Sequence, residues 1–151
     1  MPKADANRLI VAALEIRTQA VAPYSGFQVG AALLTVTGRI ITGANVESAS
    51  YGLTCCAERV ALFKALIEAE RDFKAIAVVA AQKGGPMPCG ACRQLLAEYA
   101  PTAKVWVADC RKPETIREFS VADLLPNPFC LKPAMKLKKR AERRSAALRR
   151  S

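Results

Sequence analysis

The sequence predicts an α/β protein in which helices pack on a central mixed β-sheet, and three observations lead there. Ala75 to Ala81 is a short, almost wholly apolar run, the mark of a strand covered on both faces, and Lys104 to Ala108 is a second buried-type strand. Helical segments alternate with such strands, as they do in layered α/β folds. The chain has 151 residues, 52% of them hydrophobic and 24% charged, which suits one domain around one core and excludes wholesale disorder.

Asp5 is the expected N-cap of a first helix, whose apolar face is Leu9, Ala13, Ile16 and Ala20. Pro23-Tyr24-Ser25-Gly26 breaks that pattern. Phe27 to Val36 and Arg39 to Ala44 read as the two strands of a hairpin that turns at Thr37-Gly38. Gly43 to Ser50 is small and polar, as a loop shaping a site would be. A second helix is expected from near Cys56 to about Glu70, with Val60, Phe63 and Ile67 on one face. Gln82 to Pro88 is a Gly- and Pro-rich loop, and a third helix follows from Gly90 to Tyr99, stopped by Pro101. After the Lys104 strand come a weaker strand, Glu114 to Phe119, and a helical turn, Val121 to Leu125, ended by Pro126. No internal repeat is visible.

The net charge is +10, but its distribution matters more than its size. Leu131 to Ser151 holds nine Lys/Arg and one acid, Glu142, a local charge of +8 that leaves +2 for residues 1–130. The expected organisation is therefore a nearly neutral domain, residues 1–130, and a basic tail, residues 131–151, read as a flexible, solvated arm. Residues 132–151 are the only part suited to nucleic acid or another acidic partner. No apolar run approaches the roughly 18–20 residues a bilayer span needs, and Met1 to Asp5 leads into no signal-peptide stretch, so a cytoplasmic protein without membrane association is expected.

Six cysteines without a secretion signal point away from a disulfide framework and toward metal or catalysis for the clustered ones. The chain has no histidine, which excludes Ser-His-Asp triads, Cys-His dyads and HExxH zinc sites. Proton transfer must then fall to a carboxylate, lysine, tyrosine or thiol. Two segments answer this requirement: Thr54-Cys55-Cys56-Ala57-Glu58-Arg59 and Pro88-Cys89-Gly90-Ala91-Cys92-Arg93-Gln94.

Cys89 and Cys92 lie on one face of a first helical turn, and Cys56 also opens a helix. Helix N-termini carry partial positive charge and unpaired N–H groups, which favour thiolates. Two such starts brought together would present three sulfurs to one tetrahedral ion and leave a fourth position open, the pattern of catalytic and not structural zinc. Zinc lowers the pKa of bound water to roughly 7, and Glu58, two residues from a ligand, is placed to act on that water. Three thiolates and Zn²⁺ sum to −1. Arg59 and Arg93, each beside a ligand, are expected to offset that charge by hydrogen-bonding the sulfurs. Cys55, adjacent to Cys56, points elsewhere and is no fourth ligand.

The two motifs resemble those of the small homotetrameric cytidine deaminases whose zinc is held by three cysteines. The likeness extends to Ala22–Leu34, which resembles the family's first hairpin, to Gly43–Tyr51, similar to its nucleoside-binding loop, and to Leu124-Leu125-Pro126 with Phe129, similar to its closing segment. It covers about residues 5–130.

The resemblance implies a three-layer α/β/α fold on a five-stranded mixed sheet, one Zn²⁺ per subunit on Cys56, Cys89 and Cys92, and a homotetramer in pyrimidine salvage. It implies hydrolysis of cytidine and deoxycytidine to uridine and deoxyuridine with release of ammonia, Glu58 carrying the protons. Phe27 would pack on the pyrimidine, Asn45 and Glu47 would bind the ribose hydroxyls, and the Ala57 N–H and Met87 carbonyl would read the base edge. Tyr51 and Phe129 would contribute from neighbouring subunits. Met87 stands where a serine is usual, Ser48 replaces a more usual asparagine, and the basic tail has no recognised counterpart in the family.

Three other readings compete. A deaminase of another aminopyrimidine, such as the blasticidin type, would not need a loop suited to ribose. A deaminase of polynucleotide cytosine would need a basic groove beside the pocket, which a nearly neutral body does not suggest. A non-catalytic zinc module binding nucleic acid through its tail would need a fourth protein ligand and leaves Glu58 without a role.

Overall fold

The computed structural model describes residues 2–150. Its elements run α1 (Pro2–Arg17), β1 (Val29–Thr35), β2 (Ile40–Ala44), α2 (Ala57–Ile67), β3 (Phe73–Ala80), α3 (Gly90–Tyr99), β4 (Lys104–Asp109), β5 (Arg117–Ser120), α4 (Val121–Leu124) and α5 (Arg140–Leu148). The five strands form one mixed sheet in the order β2-β1-β3-β4-β5. Only β3 and β4 are parallel, joined by the crossover through α3; the other neighbours are antiparallel. The expected α/β class and five-stranded sheet are both observed.

Both faces of the sheet are covered, and the alternation of side chains along β3 shows how. Ala75, Ala77 and Val79 point to a cluster with Leu9, Ile10 and Ala13 of α1. Ile76 and Val78 point the other way, to Ala61, Leu62 and Ala65 of α2 and Leu96 of α3. That two-sided burial is why β3 reads as a continuous apolar run. Glycine permits the closest approaches: a Cβ on Gly30 would run into the Ala13 carbonyl of α1, and one on Gly43 into the Ala61 backbone nitrogen of α2.

This closeness decides which way the Val60, Phe63 and Ile67 face of α2 points. The buried residues are Ala57, Glu58, Ala61, Leu62 and Ala65, while Phe63 and Ile67 are 43% and 76% exposed. Where α2 lies against Gly43 its inner face carries the small Ala57 and Ala61, and Phe63 and Ile67 turn outward. Asp5 is likewise not the N-cap. The helix spans Pro2–Arg17, and Asp5 sits inside its first turn. Strand β1 begins two residues later than expected, and β5 covers only the end of the Glu114–Phe119 run.

The tail, expected as a flexible arm, contains α5. Glu142 accepts the Lys139 backbone N–H at 2.7 Å, a local cap that starts the helix. Lys139 pairs with Asp72 at 2.8 Å and Arg143 donates to the Ile67 carbonyl at 3.4 Å, so this segment meets the body at the C-terminal end of α2. That end lies about 16 Å from Cys56 along the helix, at 1.5 Å per residue.

Candidate active site

Cys56 and Cys89 are themselves the N-caps of α2 and α3, each in extended backbone, and Cys92 lies in the first turn of α3. The crossover from β3 to β4 brings the two helix starts together. The three sulfurs all lie within 4.8 Å of one another, and Cys56 Sγ to Cys89 Sγ is 3.8 Å. Sulfurs about 2.3 Å from a tetrahedral zinc stand about 3.8 Å apart, so the set fits that ion. No other cluster of this kind occurs among the described residues. Cys55 pairs its backbone with Val46 and is not in the set.

The electrostatics follow from who faces whom. The neighbouring Cys92 sulfur and the Arg59 guanidinium hold the Cys56 thiol down at about 5, whereas Cys92, facing Cys56 and buried, is raised. Arg59 Nη2 reaches Cys56 Sγ at 3.5 Å and the Thr54 carbonyl at 3.0 Å. Its Nε is buried without a hydrogen-bond partner among the described residues. Arg93 departs from expectation. Its Nε donates to the Pro88 carbonyl at 2.8 Å and its Nη1 to the Leu124 carbonyl at 3.0 Å, so it ties the loop before Cys89 to the closing segment and touches no sulfur.

Glu58, in the first turn of α2, is buried at 6% exposure. Burial pushes its carboxyl up to about 7, the range in which a group both takes and gives protons at neutral pH. It opens with Cys56, Ala57 and Cys89 onto a cavity of about 280 Å³ whose other wall carries Phe27, Asn45, Glu47 and Met87. Cys92 lies behind this surface, at 1% exposure. Tyr51 and Phe129 do not line the cavity and are 87% and 71% exposed.

Ser25, Thr54 and Gln82 also line the cavity. No motif of the sequence marks them as site residues. The available signals were weak: Ser25 directly precedes the turn glycine Gly26, and Gln82 follows a central strand at its C-terminal end, where open α/β sheets place ligands. Both acids of the cavity, Glu47 and Glu58, are unaccompanied by any lysine or arginine in its lining.

Comparison with known proteins supplies the context. The sequence profile described as "Cytidine and deoxycytidylate deaminase zinc-binding region" matches residues 3–108. A cytidine deaminase of Halalkalibacterium halodurans is 53% identical over 126 residues, covering 83% of this chain and 94% of its own. The crystal structure of a cytidine deaminase from Burkholderia pseudomallei superposes with a TM-score of 0.77 at 50% identity, covering 81% of this chain and 97% of that one. A blasticidin-S deaminase of Bacillus cereus is 34% identical over 87 residues, only 52% of this chain and 62% of its own.

Proposed function

We propose the reaction from one premise: the chain belongs to the zinc-binding family of cytidine and deoxycytidylate deaminases. It is a zinc-dependent hydrolase that deaminates cytidine, and by this reading deoxycytidine also, to the corresponding uracil nucleoside and ammonia. The observation that carries the reading is the convergence of the Cys56, Cys89 and Cys92 sulfurs beside the buried Glu58 on one cavity. Bound by those sulfurs, zinc supplies Lewis acidity that brings water toward ionisation at neutral pH.

The chain's own residues do the rest. The Glu58 carboxylate takes a proton from water and delivers it to N3 of the pyrimidine while the water oxygen adds to C4. It then carries the second proton to the exocyclic nitrogen, the C4–N bond breaks, and ammonia leaves. Arg59 offsets the charge of the thiolates. In this assignment Phe27 packs on the base, Asn45 and Glu47 take the sugar hydroxyls, and the Ala57 N–H and Met87 carbonyl read the base edge. A cavity with two carboxylates and no cation in its lining favours a free nucleoside over a nucleoside phosphate.

We assign Tyr51 and Phe129 to the pockets of neighbouring subunits in a homotetramer, a reading supported by their exposure and by the outward Phe63 and Ile67 of α2. Nucleoside salvage in the cytoplasm is the setting this reading implies, and six free cysteines suit a reducing compartment. No helix among the described residues is long and apolar enough to cross a membrane. Residues 1–130 are assigned as the catalytic domain and 131–151 as a basic appendage, available to an acidic partner away from the cavity.

Ammonia release from cytidine, deoxycytidine, deoxycytidine monophosphate and a cytosine-containing oligonucleotide tests the proposal. Turnover of the two nucleosides with little on the phosphorylated substrates is expected. A zinc-loaded protein inert on both nucleosides overturns it.

A further inference from the structure

We infer that Ser25 and Asn45 are positioning residues for the Phe27 aromatic platform, and that sugar recognition and base stacking in this cavity are therefore coupled. The inference rests on the cytidine deaminase reading of the site and deepens it.

Phe27 lies in a segment outside any strand, just before β1, and Gly26 ahead of it takes a positive φ of 68°. Polar side chains hold this segment. Ser25 Oγ accepts the Phe27 backbone N–H at 2.9 Å. The Ser25 N–H in turn donates to Glu47 Oε1 at 3.2 Å. Asn45 Nδ2 donates to the Phe27 carbonyl at 2.8 Å, and Asn45 Oδ1 accepts the Val29 N–H at 2.8 Å. Both backbone polar groups of Phe27 thus end on side chains that line the same cavity.

Asn45 is 8% exposed, and its two bonds fix which amide atom is oxygen, because a carbonyl faces one and an N–H the other. One N–H and one lone pair of the amide remain after these bonds. A sugar hydroxyl bound there meets a group already holding the platform, and one bound to Glu47 meets the carboxylate that steadies Ser25. Sugar binding energy is in this way spent on placing the base against Glu58, the use of remote binding that raises turnover and not affinity alone.

The test separates positioning from simple sugar contact. Asn45→Asp keeps the acceptor for Val29 but sets an oxygen against the Phe27 carbonyl. Kinetics are measured on cytidine and on 2′,3′-dideoxycytidine, which lacks the hydroxyls, for wild type, Asn45→Asp, Phe27→Ala and the double variant.

The expected loss for Asn45→Asp is about tenfold or more in kcat/KM on both substrates, including a fall in kcat, as one broken buried hydrogen bond implies. In the Phe27→Ala background that loss shrinks to about twofold. Ser25→Ala, on an exposed loop, gives a smaller loss of about threefold that Ser25→Thr restores, and it carries the same comparison should Asn45→Asp lose zinc or unfold. A loss that disappears on dideoxycytidine, or that is undiminished without the Phe27 ring, overturns the inference. A wild-type protein inert on cytidine overturns the underlying reading instead.

Discussion

The two ends of the cavity are built differently. At the metal end every group sits on a helix start: Cys56 and Cys89 are N-caps, Glu58 and Cys92 lie in first turns, and Glu58 and Cys92 are buried. At the proposed sugar end the groups sit on connecting segments held by side-chain hydrogen bonds, and Phe27 is 39% exposed. Helix starts supply fixed N–H groups and positive potential where thiolates must be held, so the chemistry is anchored to rigid elements. The substrate-facing wall depends on those side-chain bonds, and in the proposed tetramer it is completed by other subunits.

The largest effect is expected from Glu58→Gln. With zinc and fold retained, kcat should fall by about 10³- to 10⁴-fold, toward the upper range of general acid–base contributions. Single-turnover kinetics with a zinc assay check it, and a loss under tenfold would mean another group moves the protons. Next comes Arg59→Ala, which removes the guanidinium 3.5 Å from the Cys56 sulfur. Activity or zinc affinity should drop about 10- to 100-fold with little change in melting temperature. An equal change for Arg93→Ala would mean that a loop tie matters to the metal as much as a sulfur partner does.

At the other end, Ile67→Asp places a charge on the exposed face of α2 without disturbing the core. Light scattering should show the assembly dissociating, with KM rising about tenfold, equivalent to about 1.4 kcal/mol of binding, as the neighbouring subunits' contributions are lost. Unchanged mass would remove this face from the interface. The smallest effect belongs to deletion of residues 131–151, which meet the body at the far end of α2. Nucleoside kcat/KM should stay within about twofold, a difference of about 0.4 kcal/mol.

The same contrast explains what the sequence revealed. The metal end was legible because its chemistry needs particular residue types at particular helical spacings, so Cys56, Glu58, Cys89 and Cys92 stand out without any structure. The layered fold was legible because β3 and β4 are buried on both faces. The inner face of α2 was not. Periodicity reports which large apolar residues share a side, but not whether that side meets the sheet or another subunit, and Gly43, which decides the matter, has no side chain to count. Arg93 was misread because proximity to Cys92 in sequence says nothing about competing carbonyls at Pro88 and Leu124. The bonds of Asn45 to Phe27 and Val29 are encoded by no spacing, since they depend on two loops meeting.

In the proposed site the Cys56, Cys89 and Cys92 sulfurs leave a fourth metal position open, served by Glu58. X-ray absorption at the zinc edge of the purified, zinc-loaded protein tests it most directly. Three sulfurs at about 2.3 Å and one lighter oxygen or nitrogen scatterer at about 2.0 Å are predicted. Four sulfurs would close the position, leave Glu58 without a water to act on, and contradict the account.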